Sequence, residues 1–137
     1  MGPNDVELVR VFTRQPAGPT ADVTFPVGTA IEIVLEVEAG TTLMTGPAAL
    51  YQAGVTLRDL TDGTNIPVTA PANAAGTIGA GGTWGAAASR SFVFSVAAQP
   101  ATKQDHCLEA LAFLRVGAAA AVPDVSFATS PLFIIHP

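Results

Sequence analysis

The segment "TAIEIVLEVE", residues 29–38, decides how the rest of the chain is read. Ile31, Ile33, Leu35 and Val37 alternate with Glu32, Val34, Glu36 and Glu38. A period of two sends the two sets to opposite faces of an extended strand. β-Branched residues dominate, as strands favour. One apolar face and one acidic face describe an antiparallel strand with a single covered side, not a parallel strand buried on both.

Segments of the same kind lie on either side. "VELVRVFTR" (6–14) alternates with a slip near Val9 that predicts a bulge. "ADVTF" (21–25) stops at Pro26, as an edge strand or strand end does. "AGVTLRDL" (53–60) sets Ala53, Val55, Leu57 and Asp59 against Gly54, Thr56, Arg58 and Leu60. "TDGT" (61–64) follows; Asp-Gly between extended segments predicts a hairpin with a type I′ turn. "NIPVT" (65–69) is the return strand, and Pro67 assigns it to an edge. "SFVFSVAA" (91–98) alternates Phe92, Phe94 and Val96 with Val93, Ser95 and Ala97.

"HCLEALAFLRV" (106–116) has two periods to choose between. A helix from Asp105 to Gly117 would leave Phe113 and Val116 exposed. A strand gathers Leu108, Ala110, Ala112, Leu114 and Val116 on one face, and strand is the reading. "DVSFATSPLFII" (124–135) closes the chain, broken at Pro131. The alanine run 118–121 is too short to stand as a helix and reads as a loop.

Eight or so short strands with no βαβ rhythm predict an all-β fold, sandwich or barrel, in one domain over residues 1–137. The order "F-x-F-x-V", then "CLEALAFLRV", then "PLFII" resembles the last three strands of bacterial immunoglobulin-like modules. That resemblance implies an antiparallel immunoglobulin-like β-sandwich of seven to nine strands. Similar domains at the C-termini of polysaccharide-exporting ABC transporters bind sugar chains. The Cys…Trp…Cys spacing of true immunoglobulin domains is absent, and no functional residue carries over.

Composition narrows the function. Leu, Ile, Val and Phe make up 27% of the 137 residues, above the roughly 20% below which disorder is expected. Charged residues are only 12%, against about 25% in an ordinary soluble domain. Such a surface has little like-charge repulsion and suits contact with other protein. The net charge of −5 and six dispersed basic residues provide no stripe for nucleic acid or anionic membrane. No apolar run is long enough to span a membrane. The start "MGPNDVELVR" carries no secretory signal pattern, so the chain taken as complete reads as cytoplasmic. If it is a fragment, its compartment is open.

Chemistry is sparse. Cys107 and His106 would point to opposite faces of a strand, and no G-x-S-x-G elbow exists. His106 and His136 are the only imidazoles, and "LTDGTN" (60–65) reads as a turn rather than a calcium loop. Glu36 and Glu38 stand near the spacing of an acid–base pair, about 7 Å along a strand. With no aromatic to desolvate either, they read as edge-protecting charges open to pairing with Arg58 or Arg90. The glycine-rich stretch 76–89 lacks the Gly-Lys-Ser/Thr ending of a phosphate loop.

That stretch reads as a mobile loop around Trp84, for which two accounts compete. The ring folds back to plug one end of the sandwich with its N–H on a carbonyl, or it projects to anchor a partner. The expected function is a non-catalytic protein-interaction or assembly module, a component or domain of a larger complex, self-association included, with the long uncharged loops 39–50, 70–89 and 117–123 lying against neighbours and with no cofactor or metal. The alternative is sugar binding by Trp84 and Tyr51 beside Gln52 and Asn73.

Overall fold

The computed structural model describes residues 6–40, 44, 49–79, 81–117 and 124–137. Among them run ten strands: β1 (Val6–Arg14), β2 (Thr24–Pro26), β3 (Ile31–Ala39), β4 (Leu50–Asp59), β5 (Thr64–Ile66), β6 (Ala75–Thr77), β7 (Ser89–Val96), β8 (Cys107–Gly117), β9 (Asp124–Thr129) and β10 (Phe133–His136). A 3-10 turn occupies Ala101–Lys103. The alanine run expected as a loop lies outside the described residues.

Two sheets form. The smaller has the order β1-β3-β7, antiparallel throughout. The larger has the order β2-β10-β8-β4-β5, with β6 also on β4 and β9 also on β8. Its one parallel pairing is β2 on β10. The inward residues of both sheets merge into a single apolar cluster, an arrangement compatible with a β-sandwich.

Alternation puts the expected residues inside. Ile31, Ile33, Leu35 and Val37 of β3 are buried, as are Leu108, Ala110, Ala112, Leu114 and Val116 of β8. The bulge in β1 falls where the pattern slips, between Leu8 and Arg10, and leaves Val9 exposed. The final segment breaks at 130–132 into β9 and β10, both paired with β8.

Three expectations need correction. The hairpin between β4 and β5 exists, with Asp59 opposite Thr64, but its turn is not type I′. Only Gly63 there has a positive φ, at 75°, and its N–H donates to Asp59 O at 2.9 Å. The Asp59 side chain organises the turn by accepting from the N–H groups of Thr61 and Asp62. Second, the glutamates of β3 do not guard an edge, since β3 lies between β1 and β7. Two find partners on β1, Arg14 Nε to Glu32 at 3.0 Å and Arg10 to Glu36 at 4.0 Å, while Glu38 accepts from Ser89 Oγ of β7. Arg58 turns instead to Asn65, and Arg90 lies beside Gly85.

Third, the glycine-rich stretch is tied into the fold. Residues 75–77 form β6, the Ile78 N–H donates to Ala49 O, and the Trp84 N–H to Thr77 O. Gly76 allows the close approach this needs: a Cβ there would stand 1.9 Å from Thr83 Oγ1. Trp84 has no exposed surface and packs against Tyr51 and Phe92 with ring centroids 5.2 and 5.6 Å away. Its Nε1 donates to Ala87 O at 2.9 Å.

The seams between the sheets are also tied. The Leu8 N–H of β1 donates to Ser126 Oγ of β9. Thr69, past Pro67, exchanges two backbone hydrogen bonds with Ser95 of β7. The Trp84 plug is expected to matter most to stability. Trp84→Ala should lower the unfolding free energy by about 3–5 kcal/mol, read as a lower denaturant midpoint at unchanged slope. Intrinsic fluorescence of the native protein should resist iodide quenching until unfolding.

Candidate functional site

Of the four residues singled out for sugar binding, Tyr51, Trp84 and the Asn73 backbone come together, with both rings inside the protein. The Tyr51 hydroxyl donates to the Asn73 carbonyl and also lies 2.9 Å from Thr83 Oγ1. Both Tyr51 and Trp84 are core residues, so neither ring face is open for stacking. Gln52 is exposed on the opposite face of β4, away from them. The cysteine and the histidines are likewise apart in their bonding. His106 Nδ1 bonds Asp59, and His136 Nδ1 meets Pro137 O. Cys107 is a free thiol on the outer face of β8, beside Ile134 of β10.

One charged cluster was not foreseen in its actual membership. Asp59, at the buried end of β4, is joined by Asp62 from the turn and by Lys103 and His106 from the segment before β8. Asp59 has no exposed surface. Lys103 Nζ donates to Asp59 Oδ2 and to Asp62 Oδ2, both at 2.8 Å. An ionised carboxylate only accepts, so His106 Nδ1 carries the proton it shares with Asp59 Oδ2 at 2.7 Å. Burial works against the Asp59 charge, yet bonds from His106, Lys103, Asp62 and Thr61 outweigh it and hold the carboxyl below its ordinary value. Lys103 and then Thr64 do the same for Asp62. Asp59 and Asp62 together raise Lys103.

Asp59, Asp62 and His106 stand close enough to share a metal ion. In this arrangement the Lys103 ammonium sits between the two carboxylates where a cation would bind. The cluster is therefore a structural lock between the β4–β5 turn and the start of β8.

A cleft of about 480 Å³ opens on the smaller sheet at the β1 bulge, lined by Val9, Glu36, Val37, Glu38, Ser89, Arg90 and Ser91. It brings Glu36 and Glu38 together. No aromatic side chain lines it, whereas small-molecule sites are mostly apolar with few polar groups.

The outer face of the larger sheet is different. Its cross-strand rows are Thr56–Leu111–Thr129, Gly54–Phe113–Phe127 and Gln52–Arg115–Val125. Phe127 is 66% exposed, Leu111 46% and Val125 42%. Phe113 lies over Gly54, where a Cβ would come within 2.2 Å of the ring. The missing side chain gives Phe113 its seat and keeps the surface flat. The signal was legible: the outward set of "HCLEALAFLRV" contains Leu111 and Phe113, and that of "DVSFATS" contains Val125 and Phe127. A strand apolar on both faces announces a second covered side.

No family model, curated protein or solved structure matches the chain. Among the described residues, no helix is long and apolar enough to cross a membrane.

The charged lock has a pH signature. Depressed carboxylates stabilise the fold above their ordinary value of 3.8 and lose this as pH falls through the lower folded values. The raised lysine stabilises below its ordinary 10.5 and loses this as pH climbs through the higher folded value. Lys103→Met should therefore lower Tm between those limits, with the gap to the parent protein closing beyond both. Asp59→Ala, which strands the Thr61 and Asp62 N–H groups, should cost about 1–3 kcal/mol in denaturant unfolding at neutral pH.

Proposed function

We propose that this chain is a non-catalytic interaction module of immunoglobulin-like type that docks protein through the outer face of its larger sheet. The strand order supports the immunoglobulin-like reading. First, third and seventh strands share one sheet, while β4, β8 and β10 are neighbours in the other. This parallels the A-B-E and C-F-G groupings of immunoglobulin sandwiches. The usual disulfide and strand Trp have no counterpart. Trp84, from the loop before β7, fills the core instead.

The observation that carries the docking reading is the run of exposed apolar side chains across β8 and β9. Leu111, Phe113, Val125 and Phe127 expose roughly 300 Å² of contiguous apolar surface, the lower end of the range at which a monomer's largest patch is often functional. Phe113 and Phe127 form its middle row, and aromatics are enriched at interface cores. The scarcity of charge over the whole chain agrees with such a role. Sugar binding has lost its aromatic platform to the core.

Hydroxyl-radical footprinting tests the reading without knowledge of the partner. Phe127 and Phe113, each measured relative to the exposed Leu132, should be oxidised severalfold more slowly in an extract of the cells that make the protein than in dilute buffer. Equal oxidation in both would refute the docking face. Phe127→Ser should weaken docking by about 2 kcal/mol, the size of an interface hot spot, read as loss of the Phe113 protection, while leaving Tm nearly unchanged.

A further inference from the structure

We propose that two copies of this chain pair face to face through the outer surface of β4, β8 and β9, about a two-fold axis that crosses β8 at Ala112. The proposal rests on the interaction-module reading and supplies its partner.

The argument is charge complementarity of the face with itself. Along β8 the outward residues run Glu109, Leu111, Phe113, Arg115. The apolar pair is central, and opposite charges stand at equal distances on either side of Ala112. Neither charge has an ion-pair partner among the described residues. Arg58, the cross-strand neighbour of Glu109, is engaged by Asn65 at 3.1 Å. Arg115 is flanked across the sheet by the uncharged Gln52 and Val125.

A two-fold axis lying in the interface, perpendicular to β8, reverses the strand in the second copy. Glu109 then faces Arg115 of the other copy, and the contact occurs twice, as in any isologous interface. Leu111 meets Phe113, also twice. The row Gly54–Phe113–Phe127 comes to lie over the row Thr56–Leu111–Thr129, so aromatic rings oppose smaller side chains. Leu50 is exposed at the start of β4 and Leu60 just past its end, and they come opposite each other on the same operation.

A chance partner would not require one strand to carry equal and opposite charges symmetric about an apolar centre. A second copy in reversed orientation does. The face is small: the three rows with their charged rim bury roughly 600 Å² per copy, below the standard of about 800 Å². The dimer is accordingly a reversible one, with a dissociation constant on the order of tens of micromolar.

Sedimentation equilibrium between about 1 µM and about 1 mM measures it. The parent chain should pass from monomer to dimer across this range. Glu109→Arg places like charges opposite each other twice, and so does Arg115→Glu. Each alone should weaken the dimer about tenfold or more. The doubly swapped variant should return to within about threefold of the parent. Circular dichroism and Tm of all three variants keep folding apart from pairing. A strict monomer at the highest concentration, or a dimer indifferent to both swaps, overturns the proposal.

Footprinting separates this from the broader reading. Phe127 protected with rising concentration of pure protein supports the dimer. Protection only in cell extract rejects the second copy as occupant and leaves the docking face standing. Protection in neither rejects both.

Discussion

Everything in this fold depends on removing every second side chain of two strands from water, in one shared core. β3 is the middle of the smaller sheet and β8 the long strand between β4 and the last two. Each large aliphatic side chain so buried contributes about 1.5–3 kcal/mol. A slip of one residue in either strand would turn that whole set to solvent. The bulge at Val9, the hairpin at Gly63 and the break at 130–132 accommodate the remaining chain to these two rows.

The second requirement is an end plug. Two twisted sheets leave an opening between them, and here Trp84 fills it among Tyr51 and Phe92. The glycines around it are needed because the loop crosses its own backbone at close range. A residue with a Cβ at Gly76 or Gly82 would collide with Thr83 or Thr77. What reads in composition as looseness is thus a requirement of tight packing. At the other end the Asp59–Lys103 pair performs a similar office with charge, tying the β4–β5 turn to the segment entering β8.

The strands were legible because alternation is local: β1, β3, β7 and β8 follow from their own residues. The type of the β4–β5 turn was not, because Asp59 reaches forward to cap it and so favours a longer loop than Asp-Gly alone would choose. β6 was missed because "AGT" carries no apolar period; its pairing with β4 is imposed by the Trp84 plug. Of the four residues chosen for a site, Tyr51 and Asn73 meet through a hydroxyl and a backbone carbonyl. Such a contact leaves no mark in sequence. The outer face of β8 and β9 was visible in the doubled apolar pattern. It becomes one continuous apolar patch only when the register sets Phe113 beside Phe127 and above Gly54.

A rigid inner row makes an outer row of fixed geometry, since both belong to the same strands. If the two sheets share one core, they must unfold together. Native-state amide hydrogen exchange tests this most directly. The amides of Ile33 and Leu35 in β3 and of Ala110 and Ala112 in β8 should exchange only through global unfolding, with one common free energy equal to that from denaturant. Exchange of either set at a free energy several kcal/mol below the other would mean that the sheets hold separately, and would contradict the account.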